Sequence, residues 1–225
     1  MKNITFVALL LSFAPLASAT LYEYSVGNTG LGGSGGSFDS LSTSYDSHSN
    51  VLTWEIENGV NGNGDALDGF WLVLNDGPNN PKGDDGLVIF YADFGDGESE
   101  GLWAYAYNGQ NGPGSYKETD FLGNYTDSLI DDGSTRGFSL DISSIYGYPL
   151  VDEPYNEQIG IWLHPTFGTS TITGEDGSLE DFDYNSQSWY DRSGKDTTVT
   201  KVPEPSSLAL MLLGAAGLVL SRRRS

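Results

Sequence analysis

The chain has 225 residues, with 31 acidic against 10 basic side chains, a formal charge of −21 and no cysteine. So acidic a polymer repels phosphate backbones and anionic membranes, which argues against nucleic-acid binding. The missing cysteines exclude disulfides, thiol nucleophiles and thiolate zinc, and the two imidazoles, His48 and His164, are not spaced as metal-ligand pairs.

In chain order, Lys2, the apolar run Ile4 to Phe13 and the small-residue triplet Ala17-Ser18-Ala19 form a secretory signal peptide over residues 1–19. Its n-region, h-region and A-x-A ending predict cleavage by signal peptidase after Ala19. Strands are expected at Leu21 to Val26 and Phe38 to Tyr45, separated by a Gly-rich stretch, Gly27 to Ser37, that reads as flexible. Leu52, Trp54 and Ile56 alternate with polar residues, the period of a half-buried strand. Gly69 to Leu74 and Leu87 to Ala92 are continuous apolar runs, expected of central strands covered on both faces. Leu102 to Tyr107, Tyr116 to Leu122, Phe138 to Ile142, Gln158 to Leu163 and Ser188 to Arg192 complete the strand set, with a single helical turn over Asp141 to Tyr146.

The connectors carry turn residues, among them Asn58-Gly59, Asp76-Gly77-Pro78, Asp96-Gly97 and Asn108-Gly109. Short strands joined by such turns predict an all-β fold, an antiparallel β-sandwich of jelly-roll or lectin-like arrangement over residues 20–192, with a closed barrel as the alternative. No repeat of solenoid or propeller length is visible. A polar stalk, residues 193–201, leads to the tail. Between the two ends, residues 20–202 hold 30 acidic and six basic residues, a formal charge of −24.

The tail has three parts: Val202-Pro203-Glu204-Pro205, an apolar run from Leu208 to Leu220, and Arg222-Arg223-Arg224. The prolines favour an extended, accessible segment. The apolar run is a short C-terminal transmembrane helix, and the arginines hold its end on the cytoplasmic side. In this order of parts, residues 202–225 resemble the tail of the PEP-CTERM proteins. The resemblance covers the tail and the export signal only. It implies an inner-membrane-anchored precursor, recognised near Val202, Pro203, Glu204 and Pro205 by an exosortase and passed to the cell surface or extracellular polysaccharide.

Three constellations in the body are candidates for chemistry. Asn61, Asn63, Asp65 and Asp68 fall in a Gly-rich loop whose oxygens can converge on calcium, although the EF-hand pattern fails at Ala66 and Leu72. Trp103, Tyr105 and Tyr107 alternate with alanines and project from one face of a strand, either to stack on sugar rings or to fill a core. Asp93, Asp96, Glu98 and Glu100 supply carboxylates of the kind a glycosidase pairs, but a chain this acidic always offers such pairs. The sequon Asn124-Tyr125-Thr126 is a further modification pattern. The expectation is an exported, non-enzymatic surface or matrix protein with a structural or adhesive role beside exopolysaccharide. A carbohydrate-binding module, lectin-like and possible with calcium, is the alternative class, and a glycoside hydrolase the third.

Overall fold

The computed structural model describes residues 21–46, 49–75, 88–95, 100–110, 114–146, 160–192 and 200–202. Among the described residues, fifteen strands are arranged in two large antiparallel sheets and a hairpin. The six-stranded sheet has the order β15 (Thr200–Val202), β1 (Leu21–Gly30), β3 (Ser37–Asp46), β4 (Val51–Glu57), β10 (Thr135–Asp141), β9 (Leu129–Asp131). The seven-stranded sheet has the order β2 (Gly32–Gly33), β14 (Ser186–Arg192), β11 (Gly160–Phe167), β5 (Gly69–Asn75), β6 (Val88–Asp93), β7 (Gly101–Ala106), β8 (Phe121–Asn124). The hairpin pairs β12 (Ser170–Thr173) with β13 (Leu179–Asp183). The fold is the antiparallel β-sandwich expected from the strand periods.

Between the sheets the alternating residues close a dry core. Leu52, Trp54 and Ile56 of β4 and Phe138 and Leu140 of β10 are buried, with Trp54 opposite Phe138 in the ladder. From the other sheet Phe70 reaches Trp54 with ring centroids 4.7 Å apart, Phe90 reaches Phe138 at 4.9 Å, and Tyr190 meets Phe38 edge-on at 5.4 Å. Each such ring removes on the order of 150–250 Å² from water, and these contacts join the layers.

The seven-stranded sheet is apolar on its outer face as well. Trp71, Val73, Ile89, Tyr91, Trp103 and Tyr105 are buried there beside Leu179 and Phe182 of the β12–β13 hairpin. The sequence signal is the adjacent bulky pair, as in Phe70-Trp71 and Phe90-Tyr91. Successive strand residues point to opposite faces, so both faces need a cover. The hairpin is that cover, a third layer absent from the strand pattern read in the sequence, as is the short β9.

Three expectations are revised. Gly27 to Ser37 is not a loose connector: β1 runs on to Gly30 and pairs with β3 through Gly30 opposite Ser37, and Gly32–Gly33 adds a strand against β14. Gly35 and Gly36, at φ 74° and 107°, make the turn that a β-carbon would oppose. Tyr116 to Leu122 is not one strand. Ser115–Glu118 is a 3-10 turn that carries the Tyr116 ring under the sheet, 5.4 Å from Tyr91, before β8 begins. Thr200 and Lys201, expected at the end of the polar stalk, belong to β15, which pairs with β1 so that Val202 is opposite Leu21, while residues 193–199 of that stalk lie outside the described residues. The helical turn is α1, Ser143–Tyr146.

One close approach sets the spacing of β4 and β10. A β-carbon on Gly137 would lie 1.9 Å from the carbonyl oxygen of Trp54 and 2.9 Å from the Glu55 Cα, both backbone atoms that cannot rotate away. Gly137→Ala is therefore expected to lower stability by about 2–3 kcal/mol, the cost of overpacking an interior position. Urea unfolding of the variant checks it; an unchanged midpoint would mean the two strands separate freely.

Candidate functional site

The loop of Asn61, Asn63, Asp65 and Asp68 closes on itself. The Asn61 side-chain oxygen accepts the backbone N–H groups of Asn63 and Asp65, each at 2.9 Å. Its amide nitrogen donates to Asp65 Oδ2 at 2.8 Å. Asn61 is buried, and its amide turns a donor toward Asp65, where a shared hard cation requires oxygens. Asp68 leaves the group altogether: its carboxylate accepts Gly168 N at 2.7 Å, Thr169 N at 3.1 Å and Thr169 Oγ1 at 2.6 Å. Among the described residues no group of three or more His, Asp or Glu is placed to hold a metal.

Asp93 is also taken into the fold. It is buried, and accepts Gly95 N and Thr171 Oγ1, each at 2.9 Å. Asp68 at the entry to β5 and Asp93 at the end of β6 thus hold Thr169 and Thr171, the residues at which the chain enters β12. Thr166 and Thr169 share a hydroxyl contact of 2.9 Å beside them. Charge-assisted bonds of this kind are about twice as strong as neutral ones. The two carboxylates fasten the cover to the sheet. No sequence signal marked this role, since Asp93 is 78 and Asp68 about a hundred residues from its partner.

Trp103 and Tyr105 do project from one face of β7, as their alternation requires, but that face is under the hairpin. They are 1% and 2% exposed, and Tyr107 is half-buried at the margin of the same cluster. The Tyr105 hydroxyl accepts Leu179 N at 2.7 Å, and Tyr91 and Ser115 share a hydroxyl contact of 2.7 Å. These rings hold up the third layer and present no open stacking surface in this structure. Burial pushes the Tyr91, Tyr105 and Tyr116 phenols above their ordinary range, foremost by desolvating the phenolate.

His164 lies on β11, buried, with its ring stacked on Trp71 at 3.7 Å and edge-on to Trp162 at 4.8 Å. Arg136 projects toward the inner side of β10. Its guanidinium lies 5.6 Å from the Phe94 ring centroid, its Nε is 3.5 Å from Asp131 Oδ2, and with Ile56 and Leu67 it borders a pocket of about 90 Å³. Glu100 is exposed beside β7. The sequon residue Asn124 is exposed, but its Oδ1 accepts Thr126 N and Oγ1 at 3.0 and 2.7 Å. His48, Asp96, Glu98, the signal cleavage residues Ala17 and Ala19, and Pro203, Glu204, Pro205, Arg222, Arg223 and Arg224 lie outside the described residues. Among the described residues no helix is long and apolar enough to cross a membrane.

Two outcomes follow from these placements. Asp68→Ala strands two N–H groups and a hydroxyl, and is expected to cost about 3 kcal/mol, a drop in Tm of roughly 5–10 °C. Scanning calorimetry should show the same drop in calcium and in chelator; a loss of Tm confined to the calcium sample would make Asp68 a ligand instead. The raised phenols give an alkaline limit. Above the ordinary phenol pKa of about 10 the unfolded chain releases protons that the folded one retains, so stability falls as pH rises from there. Phenolate absorbance should rise together with loss of near-ultraviolet dichroism, and ionisation of all tyrosines without unfolding would contradict the burial.

The family model of the PEP-CTERM protein-sorting motif matches residues 201–224. No curated protein and no solved structure matches the chain. The match makes the tail a PEP-CTERM sorting signal that begins within the last described strand, Thr200–Val202, and that signal implies export by the secretory route, a membrane-anchored precursor and processing by exosortase.

Proposed function

We propose that this protein serves outside the cell as a structural or adhesive component associated with exopolysaccharide, and that its sandwich is displayed rather than catalytic. The observation that carries the reading is the sorting motif joined to a domain that spends its reactive-looking groups on its own architecture. Asp68 and Asp93 fasten the hairpin, and Trp103 and Tyr105 fill the layer beneath it. What is left at the surface is acidic, hydrated and Gly-rich, suited to contact with a swollen polymer network.

The test separates domain from address. Cells expressing the chain with residues 20–201 removed, signal and tail kept, should lose the matrix-bound protein fraction that the full chain shows on fractionation. Equal matrix association by both chains would place the function in the tail alone. Incubation of the full chain with a polysaccharide panel is expected to release no reducing ends, and steady release from any member would replace this reading with a hydrolase.

A further inference from the structure

The outer face of the seven-stranded sheet carries one rung of rings across five strands. Trp103 is opposite Tyr91, Tyr91 opposite Trp71, and Trp71 opposite His164. On the next strand Leu163 faces Tyr190 and Thr166 faces Gln187, the same register on both sides, which sets Trp189 across from His164. Of these five residues the first four are buried, whereas Trp189 is 45% exposed. The rung surfaces at its last ring.

That ring has a built seat. A β-carbon on Gly32 would lie 2.3 Å from Trp189 Cε2, and one on Gly33 3.2 Å from Cδ1, so the indole rests against the diglycine strand that pairs with it. Backbone supports the indole, while nearly half of the residue's surface remains in water. Gln187, two residues earlier and on the same face, accepts the Tyr184 hydroxyl at 2.9 Å through Oε1, which leaves its amide nitrogen as the donor end. A flat apolar surface bordered by an amide and a phenol matches the apolar face and hydroxyl edge of a pyranose.

We propose that Trp189 is a stacking platform for a neutral pyranose polymer, with Gly32 and Gly33 as its seat and Gln187 as its polar edge. The proposal rests on the polysaccharide association argued above and assigns it to one side chain. Charge selects the polymer: a chain of formal charge −21 repels polyuronates and anionic lipid surfaces, but not an uncharged glucan. One ring is also far smaller than the roughly 800 Å² per partner of a stable protein interface.

Affinity electrophoresis of the full chain in detergent, through gels holding hydroxyethylcellulose, dextran or polygalacturonate, tests it. The expected result is retardation by a neutral polymer, weakened about tenfold or more in Trp189→Ala without a change in Tm, the loss of one stacking contact. Gly32→Val keeps the indole but displaces it from its seat, and should weaken retardation equally. Acrylamide quenching gives a second reading: the accessible tryptophan emission should vanish in Trp189→Ala, and in the wild type should be protected by the polymer. Equal retardation of wild type and Trp189→Ala overturns the platform while leaving polysaccharide association intact. Retardation by polygalacturonate alone overturns the neutral-polymer assignment, and binding to phosphatidylcholine vesicles with no retardation in any gel overturns the saccharide altogether. Matrix association of the domain-deleted chain defeats the wider function without touching the gel result, so the two failures are distinguishable.

Discussion

A sheet apolar on both faces cannot stand at the surface of a protein, and this constraint organises the molecule. The seven-stranded sheet turns Phe70, Leu72 and Phe90 inward against the six-stranded sheet, and Trp71, Tyr91 and Trp103 outward. The outward set must be removed from water by something other than the sandwich partner. The β12–β13 hairpin does this, and it is too small to remain there by its own contacts, since an isolated two-stranded hairpin is at best marginally stable. Its attachment is electrostatic at the base and aromatic along its length. Asp68 and Asp93 hold the entry, while Phe182 meets Tyr91 at 5.1 Å. In a cysteine-free exported chain these carboxylates do the positional work that a disulfide performs in other secreted domains.

The same economy explains why the candidate residues of the sequence do not gather into a site. An acidic loop and an aromatic strand look like chemistry when only composition and period are visible. In three dimensions each has an architectural partner far along the chain: Asp68 with Thr169, Tyr105 with Leu179. These networks stop at the exposed end of the ring row, Trp189.

The inner core was legible in the sequence because period-two alternation in Leu52-Trp54-Ile56 and Phe138-Leu140 maps directly to one face of a strand. The sorting signal of the tail was legible because export machinery reads linear motifs. The third layer was not, because Ser170–Thr173 and Leu179–Asp183 are polar at most positions and exposed at many, with no period to betray a cover. Tyr116 was misplaced in a strand for the same reason: an aromatic side chain records the need for burial but not the backbone shape that delivers it. The Gly-rich stretch misled in the opposite direction. Glycine there reads as looseness, yet Gly32 and Gly33 are the floor on which Trp189 lies.

The pairing of Leu21 with Val202 has a mechanical meaning. The chain enters and leaves the sandwich at one corner, and the strand joined to the tail is the three-residue β15 at the sheet's edge. Three pairs, Val202 to Thr200 against Leu21 to Glu23, join that strand to the sheet, against nine between β1 and β3, so tension on the tail meets the shortest ladder first. β15 peels before the interior strands bear force. A domain tethered in this way lengthens its own leash by a few residues under drag while the rest of the sandwich, held by its intersheet rings and its two carboxylates, keeps its shape.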